Sequence, residues 1–195
     1  MKLRKFIPFF AVALAATTSQ ALAENTLRWT SQGDALTLDP HSQNEGPTVA
    51  TNGMMYESLV TRDSALSLQP ELAVSWEPMD GNIWRFNLRQ GVKFQGGEDF
   101  TAEDVAFSID RAKHEKSDFK EQIKSIVEVK IVDDHTIDFV TDAINPILPN
   151  QLTSFYIMDK GWSEANNVAT PQDFAGEEET FAVRNTNGTG PFKLV

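Results

Sequence analysis

The chain of 195 residues contains no cysteine. That excludes a disulfide framework, a thiol nucleophile, an iron–sulfur cluster and a lipid-modified N-terminal cysteine. Histidine is nearly as scarce: His41, His114 and His135 lie far apart, and none has the spacing of a zinc site, so no metal is expected. Cations are outnumbered, with 17 Lys and Arg against 28 Asp and Glu. The formal net charge of -11 argues against nucleic acid or an anionic membrane surface as the main partner. There is also no Gly-x-Ser-x-Gly elbow, phosphate loop or dinucleotide fingerprint, and no cofactor is expected. No internal repeat and no low-complexity tract is visible.

What is present is enough for a packed core: 41% of residues are hydrophobic, 10% aromatic and only 23% charged. The first segment stands apart. Lys2, Arg4 and Lys5 form a positive region, Phe6 to Ala16 is apolar apart from Pro8, and Ala21-Leu22-Ala23 supplies a small-x-small cleavage site. The apolar stretch falls short of the ~20 residues that cross a bilayer, and Thr17, Thr18, Ser19 and Gln20 follow it. Residues 1–23 therefore read as a secretory signal peptide, cleaved after Ala23, with a soluble product outside the cytoplasm. Cleavage would remove three positive charges and take the net charge from -11 to -14.

Along the rest of the chain the period of the apolar residues predicts a mixed fold. Leu27 and Trp29 alternate with Arg28 and Thr30 as in a half-buried strand, closed by Gly33-Asp34. Val49, Gly53, Tyr56 and Val60 recur at helical spacing behind Pro47, predicting a helix over 48–60. Val74 to Trp76 and Ile83 to Leu88 flank the turn Asp80-Gly81-Asn82 and predict a hairpin. A second hairpin is predicted from Val127, Val129 and Ile131 through Asp133-Asp134-His135 to Ile137 and Phe139. Thr101, with Asp104 three residues on, predicts a capped helix whose buried stripe is Ala102, Val105, Ala106, Ile109 and Ala112. Phe107 projects from nearly the opposite side and needs a second surface, unless it is an isolated exposed aromatic. Pro146 and Pro149 are expected to break regular structure. Leu152, Phe155, Tyr156 and Ile157 read as core, Ala175 to Glu179 as a solvated acidic loop, and Phe192 to Val195 as the start of a strand. The sheet is expected to be largely antiparallel.

Carboxylate pairs such as Asp99 with Glu103, or Asp133 with Asp134, have the residue types of a glycosidase acid and base. Turn and capping chemistry accounts for each of them. Asn187-Gly188-Thr189 matches a glycosylation acceptor but reads equally as a turn.

An ordered series of short motifs is more specific. It comprises Leu38-Asp39-Pro40, Tyr56-Glu57-Ser58-Leu59-Val60, Leu68 to Trp76, Trp84 to Phe94, Phe100 to Val105 and Thr189-Gly190-Pro191-Phe192. Together they resemble the N-terminal part of the family 5 extracellular solute-binding proteins, the dipeptide, oligopeptide and nickel receptors of ABC importers. The resemblance implies an α/β fold, α+β in this portion, of the type II periplasmic-binding-protein-like kind. Two lobes would close on a ligand, and one would carry an extra subdomain. It implies residues 24–49 as the first segment of lobe one, 50–184 as the extra subdomain and 185–195 as the start of the return to lobe one. On this reading the chain is the front portion of a longer receptor, and the acid that fixes a peptide amino terminus belongs to the opposite lobe.

The implied activity is capture of a peptide in the periplasm and delivery to ABC permease subunits of the inner membrane, by a monomer without catalysis. A nickel chelate, oligosaccharide or opine is the alternative ligand. A secreted carboxylate-dependent hydrolase and a stand-alone interaction domain are the rival classes. The residues implied to approach ligand are Gly33, Asp34 and Leu38 in the loop after the first strand, with Asn52 and Tyr56 at the following helix. For Tyr56 a core role competes, and for Gly33 and Asp34 simple turn chemistry does.

Overall fold

The computed structural model describes residues 26–29 and 33–195. The expected signal peptide lies outside the described residues. The chain divides into two compact units, Met1–Thr30 and Ser31–Val195. Of the first, residues 26–29 carry no regular secondary structure, and Leu27 and Trp29 are half exposed. The strand predicted there does not form. A strand needs a neighbour's backbone ladder, and alternation alone does not provide one.

The second unit is built on a four-stranded antiparallel sheet. A short helix, α1 (Gly46–Asn52), and a two-stranded ribbon, β1 (Val60–Arg62) with β2 (Leu68–Pro70), come first. The hairpin β3 (Ala73–Met79) and β4 (Ile83–Leu88) follows, then the helix α2 (Ala102–Ala112) and the single turn α3 (Lys120–Ile123). The hairpin β5 (Ile126–Asp133) and β6 (Thr136–Thr141) completes the sheet, whose order is β3-β4-β6-β5. Two short helices, α4 (Leu148–Gln151) and α5 (Lys160–Ala165), and a 3-10 turn, Phe181–Val183, lead to the end of the chain.

Both predicted hairpins form as read, with Trp76 opposite Phe86 in one and Val129 opposite Phe139 in the other. Gly81 closes the first with φ +79°, a left-handed conformation that a side chain would strain. The even-numbered residues of β4 and the odd-numbered residues of β6 share the inner face, so Phe86, Leu88, Ile137 and Phe139 are all buried. Arg85 and Asp138 pair on the outer face in a two-pronged ion pair at 2.7 and 2.8 Å.

Onto the inner face packs α2. Its start is fixed chemically: Thr101 Oγ1 accepts from Glu103 N, and Asp104 Oδ2 accepts from Thr101 N at 2.9 Å, the predicted capping box. Val105 and Ile109 are fully buried against the sheet. Burial of each such side chain contributes about 1.5–3 kcal/mol relative to exposure. Leu148, Leu152, Phe155 and Ile157 close the same core, as their apolar pattern suggested. Pro149 does not break structure there: it stands in the first turn of α4, where its missing N–H costs nothing. Phe107 meets a second surface, a smaller cluster of Met55, Tyr56, Tyr156 and Met158 with Trp162.

Two further predictions fail for local reasons. The helix over 48–60 stops at Asn52, because Tyr56 turns into the second cluster while Val60 is drawn into β1 opposite Pro70. Helical spacing was satisfied by residues that serve two different layers. At the other end, Phe192 to Val195 form no strand. The amide of Gln95 donates to the carbonyls of Gly190 at 3.2 Å and Phe192 at 2.6 Å, groups a ladder would have used, and Pro191 has no N–H to offer. The segment instead lies against residues 54–55, with Gly190 N donating to Met55 O and Phe192 N to Met54 O.

Candidate functional site

The loop that follows the first unit is held by backbone and side-chain ties before it reaches α1. Leu36 N donates to Thr48 Oγ1 at 2.8 Å, Leu38 N donates to Val183 O at 3.1 Å, and Asp39 N donates to Thr37 Oγ1 at 3.1 Å. Beneath it sits a buried ion pair. Arg111 of α2 donates from Nη1 and Nη2 to the two carboxylate oxygens of Asp39 at 2.8 and 2.6 Å, and neither side chain is exposed. His41 N and Gln172 N also donate to that carboxylate, and Arg111 further donates to the carbonyls of Val168 and Thr170. Burial pushes the Asp39 carboxyl up, but the Arg111 guanidinium and the Gln172 N–H outweigh it and hold it below its ordinary value. This knot fastens three segments distant in sequence: residues 37–42, α2 and residues 168–172.

His41 completes the support. Its Nε2 lies 2.8 Å from the carbonyl oxygen of Tyr156, and its ring stacks on Phe155 at 5.0 Å. Burial, with Arg111 nearby, drops it to about 3, so it is a neutral core residue at any ordinary pH. Its side chain is fully buried, packed between Phe119 and Phe155. The Tyr156 hydroxyl, pushed up to about 12 by burial, donates to Val49 O at 2.9 Å.

Above this support lies a cleft of about 830 Å³. One wall is Asp34 to Leu38 with Thr51 of α1; the other is Gln172, Phe174 and Ala175, Glu177 to Glu179, then Val183 and Arg184, with Leu194 at one end. Its size is that of a small-molecule or short-peptide site. The lining mixes apolar groups, among them Leu36, half exposed, with carboxylates. Glu178 is held below its usual range by the Asp173 N–H and by Lys116 at 3.0 Å, and Glu179 pairs with Arg184 at 3.3 Å. The wall is fixed from beneath: Gln172 Nε2 donates to Glu178 O and Asp173 N donates to Glu178 Oε2.

Of the five residues singled out from the sequence, Asp34 and Leu38 line this cleft. Gly33 is exposed beside them, against the ring of Pro47. Asn52 and Tyr56 do not line it: both are buried, and Tyr56 stacks on Tyr156 with ring centres 6.4 Å apart. The opposite wall, 172–184, was missed as part of a site. The acidic loop 175–179 is solvated as read, and it is also one rim of the cleft. The nominated acid pairs are engaged elsewhere. Asp99 pairs with Lys93 at 2.6 Å, Glu103 pairs with Lys160 at 3.0 Å, and Asp133 Oδ1 accepts from His135 N in the hairpin turn. Among the described residues no group of three or more His, Asp or Glu could hold a metal ion. Asn187 is buried, donating to Asp159 Oδ2 at 2.8 Å and accepting from Gly96 N at 2.6 Å.

Several of the motif residues also acquire a physical reason. Glu71 Oε2 accepts from Ser58 N at 2.8 Å and from Ser58 Oγ at 2.6 Å, binding the Tyr56 to Val60 motif to the Leu68 to Trp76 motif. Burial pushes the Glu71 carboxyl up against these bonds.

The chain is similar to known proteins over most of its length. The chain is 30% identical over 205 aligned residues to the dipeptide-binding protein of Escherichia coli, covering 93% of this chain and 37% of that protein. Its fold superimposes on NikZ from Campylobacter jejuni in complex with Ni(L-His), with TM-score 0.69, 26% identity and coverage of 84% of this chain and 31% of the other. It also superimposes on the periplasmic binding protein DppA from Helicobacter pylori in complex with a peptide, with TM-score 0.68, 26% identity and coverage of 83% and 35%. The chain thus covers only about a third of the length of each of these three proteins. Residues 67–195 match the model of the bacterial extracellular solute-binding proteins, family 5, and the chain belongs to that family.

Proposed function

We propose that this chain supplies part of a periplasmic receptor that captures a peptide and delivers it to an ABC permease. The observation that carries the reading is the likeness, over 93% of the chain, to a dipeptide-binding protein. The cleft of about 830 Å³ supports it as a ligand-sized concavity on a braced framework. Gly33, Asp34 and Leu38 would be this chain's contribution to the ligand, while Asn52 and Tyr56 would support the wall from behind. Residues 24–49 and 185–195 would belong to lobe one and residues 50–184 to the extra subdomain. The second lobe would close over the ligand by a hinge motion, burying it between two surfaces. One chain is one clamp, so capture needs no second copy and no bond-making chemistry. Residues 1–23 would direct export and be removed after Ala23.

Isothermal calorimetry with a peptide library, on the receptor carrying both lobes, tests the assignment. Saturable binding of short peptides is the expected result. Silence with peptides together with saturable binding of a histidine–nickel chelate would move the receptor to the class represented by NikZ.

A further inference from the structure

The cleft over the Asp39 knot is one-sided in charge. Four carboxylates line it, Asp34 on one wall and Glu177, Glu178 and Glu179 on the other, against a single cation, Arg184. Two of the four are already neutralised, Glu178 by Lys116 at 3.0 Å and Glu179 by Arg184 at 3.3 Å. Asp34 and Glu177 are exposed and form no ion pair among the described residues. The turn that carries Glu177 is braced: Gly176 N donates to Asp173 Oδ1 at 2.8 Å, and Glu178 N donates to Asp173 O at 2.9 Å.

Acids alone would be an ordinary solvated rim, but Gln172 adds an independent observation. It lines the same wall and is only 5% exposed. Its N–H donates to Asp39 Oδ2, its carbonyl accepts from Ser42 Oγ at 3.2 Å, and its Nε2 donates to Glu178 O at 2.8 Å. Those bonds fix the side-chain amide, and its Oε1 is left without a hydrogen-bond partner. A buried amide oxygen with no donor inside the protein is costly until something supplies one.

We infer that this cleft takes a cationic group of a peptide ligand, an ammonium or a guanidinium. The inference rests on the peptide-receptor reading above and narrows the class of peptide. The groups the wall leaves uncommitted, Gln172 Oε1 and the carboxylates of Asp34 and Glu177, are acceptors. Their complement is a group that only donates, which describes an ammonium or a guanidinium and excludes a carboxylate. The apolar part of the lining, Leu36 and Phe174 among it, suits the aliphatic stem that carries such a head. Closure of a second lobe would exclude water and strengthen the attraction of both unpaired acids for the cation.

Calorimetry on the receptor carrying both lobes tests this with two matched pairs of peptides. Ala-Lys-Ala against Ala-norleucine-Ala asks for a cationic side chain, and Ala-Ala-Ala against its N-acetyl form asks for the amino terminus. In one pair the cationic member should bind at least about tenfold tighter, with the preference shrinking between about 20 and about 300 mM salt. The double change Asp34→Asn with Glu177→Gln should cut that preference to under about threefold. The preference is a ratio of two affinities of the same protein, so partial misfolding of the variant does not move it. Equal binding within both pairs overturns the inference and leaves the receptor reading standing. A preference indifferent to the double change does the same, because the cation is then held elsewhere. Silence with all four peptides overturns both.

Discussion

Replacing Arg111 with methionine would leave Asp39 buried with two backbone N–H donors, those of His41 and Gln172, and no countercharge. The guanidinium makes four hydrogen bonds in the native protein, two to Asp39 and one each to Val168 O and Thr170 O. Removing one partner of a fully buried pair costs about 3–5 kcal/mol, most of it the penalty on the charge left behind. The pH dependence gives the stronger test. Native Asp39 titrates below its ordinary 3.8, so its contribution is fully present above 3.8 and is lost as pH falls through the lower, folded value. In Arg111→Met, burial is no longer offset, and the folded carboxyl moves above 3.8. The variant's penalty is then greatest at neutral pH and shrinks as acid protonates Asp39. Urea denaturation at pH 7 and pH 4.5 should show a gap between the two proteins that narrows in acid. The double change Asp39→Leu with Arg111→Met should cost clearly less than the two single changes added together. A gap under about 1 kcal/mol at pH 7, or one that does not move with pH, would refute the reasoning.

Gly188→Ala would drive a methyl group against the Met55 carbonyl oxygen and within 2.7 Å of the Tyr56 ring, so it should destabilise by about 1–3 kcal/mol. Hydrogen exchange should show faster exchange at Gly190 N and Phe192 N, whose partners are Met55 and Met54. Thr101→Ala removes the acceptor of Glu103 N at the start of α2 and should cost about 1 kcal/mol in a denaturant melt, with Asp104 still accepting from residue 101 N–H.

Much of the fold was legible because it rests on local signals. The two hairpins follow from period-2 alternation around Gly81 and around Asp133 to His135, and the start of α2 follows from Thr101 and Asp104. The failures fall where spacing serves two layers, as with Tyr56 and Val60, or where a tertiary partner decides. Leu27 and Trp29 have the alternation of a strand, but among the described residues no neighbouring strand pairs with them. The lining of the candidate cleft was half legible. Asp34 and Leu38 came from the motif resemblance, whereas the wall from Gln172 to Arg184 carries no apolar period or motif of its own. Its position depends on Asp39 and Arg111, a contact across 72 residues of sequence that no local pattern announces. The Leu38-Asp39-Pro40 motif marked one half of that contact. Arg111, in the last turn of α2, belongs to none of the motifs.

The backbone bonds between residues 54–55 and 190–192 bring together two points 130-odd residues apart, and the Gln95 amide clasps them from the side by donating to Met55 O, Gly190 O and Phe192 O. Everything between those points therefore leaves and rejoins the chain at one place. A segment with adjacent ends can be spliced into, or excised from, a host framework without displacing what lies before and after it. Here the exchanged segment must also carry Arg111, Gln172 and Val183, because those residues hold the flanking residues 38–39 in place.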